Sequence, residues 1–431
     1  MNTDVAIIGG GLTGLMMARA LSVTGVSICL LDRSAGDHGM ADDRTTTIHA
    51  AGMRMLDTLG ISDHLPDAAT PIMRIAVAEG APLTGLAARR RPDSDLSWQA
   101  SEDPLAYVVS NADLQAALMA ALASTISPGS SASAAPKGKT HRHGNLQIMR
   151  GATLAGMTRD GASMQLEIDS GNGNPNRLTA GLVVACDGAN SHVAKLAELP
   201  AREERHFQTA IVSILRAERP HQNTAFQRFL PGGPFALMPM AGHRLSLVWT
   251  MPAAEAETLM VAAPQMFEAA CMEAFGQSLG YLHLDGQRLA WPLRPSVRRR
   301  IAAPGVVLAG DAAHALHPIA GQGYNLALGD AAVLADCLAQ ARARGLTPDH
   351  PSVWHGYEEG RRAERFLMSA ATSGINQLFA RSPTMVRRLV GAGFAMLERT
   401  RLKNMFSDIA TGGRLTRAAL LEGRYPGRAP E

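Results

Sequence analysis

Cysteine is scarce in this chain. Its four thiols, Cys29, Cys186, Cys271 and Cys337, stand far apart with no Cys-x-x-Cys pair, which excludes a disulfide framework and a thiolate metal knuckle. They read as reduced, mostly buried thiols of a reducing compartment. Charge of one sign is also lacking: 431 residues carry a formal net charge of +3, too little to argue for nucleic acid. No apolar run reaches the ~18–20 residues of a membrane span. The first strand begins almost at once with no basic leader ahead of it, so a secretory signal is not expected. No Ser-His-Asp set or paired-carboxylate arrangement stands out. His314 and His317 lie three apart without further ligands, and His141 and His143 lie in a polar tract; no metal site is expected from either pair. What remains is a chain long enough for two full cores, and the lack of a recognisable catalytic arrangement of side chains is consistent with an enzyme that leaves the hard chemistry to a cofactor.

Three glycine-bearing turns are present. Asp4 to Ile8 reads as a short apolar strand, Gly9, Gly11 and Gly14 form Gly-x-Gly-x-x-Gly, and Leu15 to Leu21 reads as an apolar helix. Val26 to Leu31 then reads as a second strand ending at Asp32, with Arg33 beside it. In such a unit the first glycine makes the turn, the second admits a pyrophosphate and the third packs helix on sheet. An acid ~20 residues later holds the ribose hydroxyls; Asp32 follows Gly11 by 21 residues. Mid-chain, an apolar strand from Leu182 to Ala185 ends in Cys186-Asp187-Gly188, which alone is an ordinary turn. Later, Val306 to Leu308 leads into Gly310-Asp311, then Pro318, Gly321, Gln322 and Gly323, with a helix opening around Tyr324. A carboxylate at the carboxyl end of a strand can accept hydrogen bonds from a polyol such as a ribityl chain. Bare glycine N–H groups at a helix N-terminus suit a developing anion such as reduced flavin. The bland alternative is a tight strand–helix corner, which does not call for Asp311, Pro318 and both glycines together.

Taken in order, the three turns resemble the class A flavoprotein monooxygenases, whose fold is that of para-hydroxybenzoate hydroxylase. Residues 9–14, 187–188 and 310–325 match that class's three fingerprints. Within it the chain is similar to the ubiquinone-biosynthesis hydroxylases, through DDRTTTIHAAGMRMLDTLGI at 42–61, YVVSNADLQAAL at 107–118, QRFLPGGPFALMPMAGHRLSLVWT at 227–250 and LHPIAGQGYNL at 316–326. The likeness runs to about Gly412. It implies an α/β fold: an FAD-binding Rossmann-like domain (1–65, 105–200 and 300–345) interleaved with an antiparallel-sheet substrate domain (66–104 and 201–299). A C-terminal helical region, 346–431, follows. Gly9, Gly11, Gly14, Asp32 and Arg33 would hold the ADP half of FAD, with Arg44 near the pyrophosphate and Gln115 as a polar contact. Asp187-Gly188 would serve both FAD and nicotinamide, and Gly310-Asp311 the ribityl chain. Pro318, Gly321, Gln322, Gly323 and Asn325 would frame the flavin ring, and no general base is assigned.

The implied reaction is hydroxylation of a polyprenylated phenol. NADPH or NADH reduces FAD, O2 adds at the flavin C4a carbon, and the hydroperoxide passes one oxygen atom to the ring. With no second Gly-x-Gly-x-x-Gly, a nicotinamide would dock without a Rossmann domain of its own. The chain departs from the family in having Asp32 where Glu is more common and Phe207 where Tyr is usual. Residues 127–144, a Ser/Ala/Gly/Pro-rich tract, form an insertion expected to be a loop. Met238 and Met240 could line an adaptable prenyl pocket, though core filling is the commoner use of methionine.

Residues 352–410 read as helical. From Arg381 to Arg417 there are eight basic residues against Glu398 and Asp408. Such a stretch either packs on the domain with a solvated basic face or lies on anionic lipid. The expectation is a cytoplasmic enzyme, with peripheral membrane contact or association with a quinone-biosynthesis complex through this end. Two alternatives stay open: a same-fold halogenase or prenyl reductase, and a non-catalytic structural subunit. Trp98, Trp249, Trp291 and Trp354 are too far apart for the halogenase's Trp-x-Trp motif. The intact glycines and Asp311 weigh against a dead subunit.

Overall fold

The computed structural model describes residues 1–35, 44–65, 69–80, 96–124, 140–143, 145–171, 176–203, 208–315, 323–381 and 416–427. Four apolar runs, VAII, CLL, LVVA and VVL, are hydrophobic at every position, the pattern of strands covered on both faces. They build the middle of a nine-stranded sheet. Leu146–Arg150, Ile28–Asp32, Asn2–Ile8, Asn176–Ala185 and Val306–Leu308 lie side by side and parallel. The helix Leu12–Ser22 packs against Asn111–Ser124 and Gly323–Ala343, with Met16, Met17 and Leu21 fully buried. Asn176–Ala185 changes partners along its length. Its first half runs antiparallel to Ser163–Asp169 and its second half parallel to Val306–Leu308. Because the core strands point the same way, Gly9, Asp32, Asp187 and Gly310-Asp311 all emerge at one end of the sheet, where ligands of open α/β sheets bind.

The second unit is an eight-stranded sheet. One face, with Phe235, Leu237 and Leu247, buries Phe267, Cys271 and Phe275 of the helix Pro264–Phe275. The other face, through Ala225, Ala236 and Met238, packs on Ile72, Ala106 and Val108 of the strands Thr70–Ile72 and Ala106–Ser110. The sheet is antiparallel as expected except for one pair: Arg74–Glu79 runs parallel to Thr224–Leu230. Parallel neighbours need a long crossover, and here the chain between them passes through the nine-stranded sheet.

Within the tract expected to be a loop, Thr140–His143 adds an antiparallel edge strand beside Leu146–Arg150. That strand's free edge offers backbone partners which composition does not reveal. Pro351–Arg381 is one long helix, as expected. Residues 382–415, which hold most of the basic stretch, lie outside the described residues. The chain returns at 416–427 and docks on the first unit. Leu420 and Leu421 are buried, Ala419 N–H donates to Asp336 at 2.9 Å, and Tyr425 O–H donates to Thr58 O at 2.7 Å. All four cysteines are free, and burial pushes Cys29, Cys271 and Cys337 up to about 12. Among the described residues no helix is long and apolar enough to cross a membrane, and no cluster of metal-ligating side chains occurs.

Candidate cofactor site

The first turn is shaped by backbone contact. Gly9 has φ +111°, and a Cβ there would lie 2.4 Å from Cys186 O. At Gly14 a Cβ would lie 1.8 Å from Gly9 O, so only glycine lets the helix sit this close to the strand. Gly11 is different: a Cβ there would meet no atom within 4 Å. It is the N-cap of Leu12–Ser22, and no side chain caps that helix. Backbone donors at a helix start, faced by open space, fit a pyrophosphate. Gly10, which the motif leaves unspecified, is also required, since its Cβ would meet Asp32 Oδ2 at 2.5 Å. Asp32 closes its strand half-buried and accepts from Ser34 N–H at 3.0 Å; Arg33 beside it is exposed.

At the second turn, Asp187 Oδ2 accepts from the backbone N–H groups of His192 at 2.7 Å and Val193 at 3.2 Å. It thereby caps the short helix His192–Leu196, while Gly188 takes φ +84°. Asp187 Oδ1 is buried without a hydrogen-bond partner among the described residues, an orphaned acceptor at the edge of the site. Arg298 joins this loop to the third turn. It donates to Ala312 O at 2.7 Å and to Leu199 O, and burial lowers its pKa while the charge of Asp187 opposes the shift.

The third turn rests on buried charge. Gly310 has φ +57°, and a Cβ there would strike Thr13 Oγ1 at 2.8 Å, which brings the third turn against the first. Its N–H donates to Asp330 Oδ2 at 2.8 Å. Asp330 Oδ1 accepts from Arg361 Nε at 2.7 Å, and His314 Nε2 lies 3.1 Å from Oδ2. Burial alone would push the Asp330 carboxyl up, but His314 and Arg361 together hold it below the ordinary carboxylate range. Arg361, fully buried, also donates to Leu326 O at 3.0 Å, Thr416 Oγ1 at 2.9 Å and Glu364. Gly329 makes room for it, since a Cβ there would meet Arg361 Nη1 at 2.5 Å. Neither Asp330 nor Arg361 was singled out from the sequence. The available signal was a charged residue on an apolar helix surface, at position 330 of NLALGDAAVLA.

Asp311 follows directly. Its carboxylate is accessible to solvent yet has protein on nearly every side, and that desolvation raises its pKa against the pull of His314 and Arg44. Arg44 lies over the Trp291 ring, 4.8 Å from its centroid, so it spans from the eight-stranded sheet to the Asp311 turn. Gln115 is half-buried on Asn111–Ser124. Gly323 opens Gly323–Ala343 exposed, with no atom within 4 Å of a Cβ. Asn325 is buried: it accepts from His49 N–H and donates to Thr47 O, both at 3.0 Å. Its carboxamide thus stitches the start of this helix to Thr45–His49. Pro318, Gly321 and Gln322 lie outside the described residues. The structure therefore brings Gly9, Gly11, Gly14, Asp32, Asp187, Gly310 and Asp311 to one end of the sheet.

Residues 2–361 match the family model described as FAD binding domain. The chain is 34% identical over 414 residues to a ubiquinone hydroxylase of Rhodospirillum rubrum, covering 95% of this chain and 89% of that protein. It is 29% identical to the 3-demethoxyubiquinol 3-hydroxylase of Escherichia coli, covering 88% and 89%. The p-nitrophenol 4-monooxygenase of Pseudomonas putida has the same fold, with TM-score 0.74 at 17% identity over 96% of this chain and 99% of that one. This chain belongs to the FAD-dependent aromatic monooxygenases. In this monooxygenase the open donors at Gly11, the acid at Asp32 and the accessible carboxylate of Asp311 agree with the donors and acceptors that FAD presents.

Proposed function

We propose that this monooxygenase hydroxylates the aromatic ring of a polyprenylated phenol in ubiquinone biosynthesis, with O2 as co-substrate and NADPH or NADH as reductant. The observation that carries this reading is the 34% identity to the R. rubrum ubiquinone hydroxylase, sustained over 95% of the chain. The N-terminus of Leu12–Ser22 would bind the pyrophosphate of FAD, Asp32 its ribose and Asp311 its ribityl chain. Bound FAD supplies electron storage and the activation of O2. Arg44 contributes positive charge beside Asp311, and the N-terminus of Gly323–Ala343 adds its dipole. The apolar face of the eight-stranded sheet orients the ring and keeps water out, which limits unproductive release of peroxide. We assign the FAD-binding role to 1–65, 105–200 and 300–345, and the substrate role to 66–104 and 201–299.

The basic stretch 381–417 would hold the enzyme on an anionic membrane surface, where a polyprenyl substrate resides, or in a complex of quinone-biosynthesis enzymes. Truncation would remove the docked residues 416–427, so the cleaner test substitutes glutamine for Arg387, Arg388, Arg399, Arg401 and Lys403. Liposome flotation of that variant should fall well below wild type; equal flotation removes the membrane role.

The reaction is tested on the purified protein. Bands near ~370 and ~450 nm with stoichiometric FAD, and O2-dependent hydroxylation of a prenylphenol, are the expected results. Turnover without oxygen would point to a reductase. A colourless protein that FAD cannot reconstitute would point to a structural subunit.

A further inference from the structure

The eight-stranded sheet carries a buried side chain that neither folding nor cofactor binding explains. Gln227 lies on the strand Thr224–Leu230 and is 5% exposed. Both its Oε1 and its Nε2 are buried without a hydrogen-bond partner among the described residues. Register places it in a row running Val77, Gln227, Ala236, Val248, Val212 and Leu289 across neighbouring strands. Gln227 is the one polar member of that row. Side chains alternate between faces along a strand, so Gln227 shares its face with Ala225 and Ala236. That face packs toward Ile72, Ala106 and Val108 of the strands Thr70–Ile72 and Ala106–Ser110.

The opposite face already has its own aromatic core of Phe235, Phe267 and Phe275. The Gln227 face also reaches the cofactor end of the molecule. Ser246, on the same strand and face as Val248, accepts from Thr45 Oγ1 at 2.7 Å, and Thr45 adjoins Arg44. Thr250, likewise on this face and fully buried, also leaves its hydroxyl unpaired among the described residues.

A carboxamide stripped of water and left unpaired is destabilising, whereas leucine or methionine would fill similar volume without that cost. Packing therefore does not account for Gln227, but a ligand with a matching polar group would. We propose that Gln227 is the specificity-determining residue for the substrate ring, pairing with a phenolic oxygen brought against this largely apolar face. Its Nε2–H donates to the ring oxygen and its Oε1 accepts the phenolic O–H. A carboxamide satisfies both halves of a hydroxyl at once. This assignment rests on the substrate being a phenol.

The test uses the full-length FAD-loaded protein and two probes, 2-geranylphenol and geranylbenzene, which differ only in the hydroxyl. Binding is read from the perturbation of the flavin spectrum. Wild type should bind the phenol at least about tenfold more tightly, the scale of one buried polar pairing. Gln227→Leu and, as the variant closest in shape, Gln227→Met should bind both probes alike, with FAD content unchanged and Tm no lower than wild type. Retention of the phenol preference by either folded variant overturns the assignment. So does a wild type with no preference. If that wild type still hydroxylates the phenol with O2, the reaction reading stands and the anchor alone has failed.

Discussion

The turns at Gly9–Gly14 and at Gly310-Asp311 open at the same end of the parallel sheet, and they are held by opposite means. At the first, the closest contacts are backbone against backbone, Gly14 on Gly9 and Gly9 on Cys186, while Gly10 meets the side chain of Asp32. At the second, one backbone N–H is fixed by a carboxylate twenty residues later, itself fixed by an arginine on the next helix. A steric turn fails when an atom is added. A turn held by buried charge fails when an atom is removed, because the surviving partner is left uncompensated in a medium that cannot solvate it.

The sharpest break in that comparison is Gly14→Ala. Its methyl would lie 1.8 Å from Gly9 O, a backbone atom that cannot swing aside, so we expect destabilisation of roughly 3 kcal/mol or more and no FAD retained, read by thermal melts and the flavin spectrum. Arg361→Leu should cost a similar amount, about 3–5 kcal/mol, by stranding Asp330. The double variant Arg361→Leu/Asp330→Leu should recover part of that loss.

The same pair sets a pH dependence. The Asp330 carboxyl is held below its ordinary value, so its contribution is fully present above ~3.9 and is lost as pH falls from there toward the folded value. Acid unfolding of Asp330→Asn should lack that slope. Asp311 has the opposite sign: its pKa is raised, so ionisation costs the empty protein stability as pH rises. Asp311→Asn should weaken FAD binding by about tenfold or more through loss of a charged acceptor without lowering the melting temperature of the FAD-free protein at neutral pH.

The smallest effect on folding belongs to Gly11→Ala. Its methyl meets nothing within 4 Å, so the FAD-free protein should keep its stability within about 0.5 kcal/mol. FAD affinity should still fall, since the methyl takes up the space offered to the pyrophosphate. If affinity were unchanged, the open side of Gly11 would not be the pyrophosphate seat.

Legibility followed sequence distance. Gly9, Gly14 and Asp32 act within one strand–turn–helix–strand, so their spacing states their geometry. Gly310 was legible as part of a turn, but its reason for being glycine, Thr13 across the site, was not. Asn325 lies in a fingerprint segment, yet its carboxamide goes to the backbone of His49 and Thr47, nearly three hundred residues away. Gln227 opens a segment, 227–250, that resembles the family throughout, and nothing in the string distinguishes it from Arg228 beside it. Its unpaired amide becomes visible only once strand alternation has chosen its face.

Order along the chain was enough for the core strands, the turns that follow them and the glycines local sterics demand, because those depend on neighbours a few positions apart; the resemblance of the three turns together added the class of cofactor. Tertiary structure alone decided which polar groups are stranded, capped or paired: Asp330 against Arg361, Asp187 over His192, Gln227 facing an apolar surface. Burial and partner are properties of the packed chain, and a carboxylate or carboxamide changes its role with whether water, a cation or nothing stands opposite it.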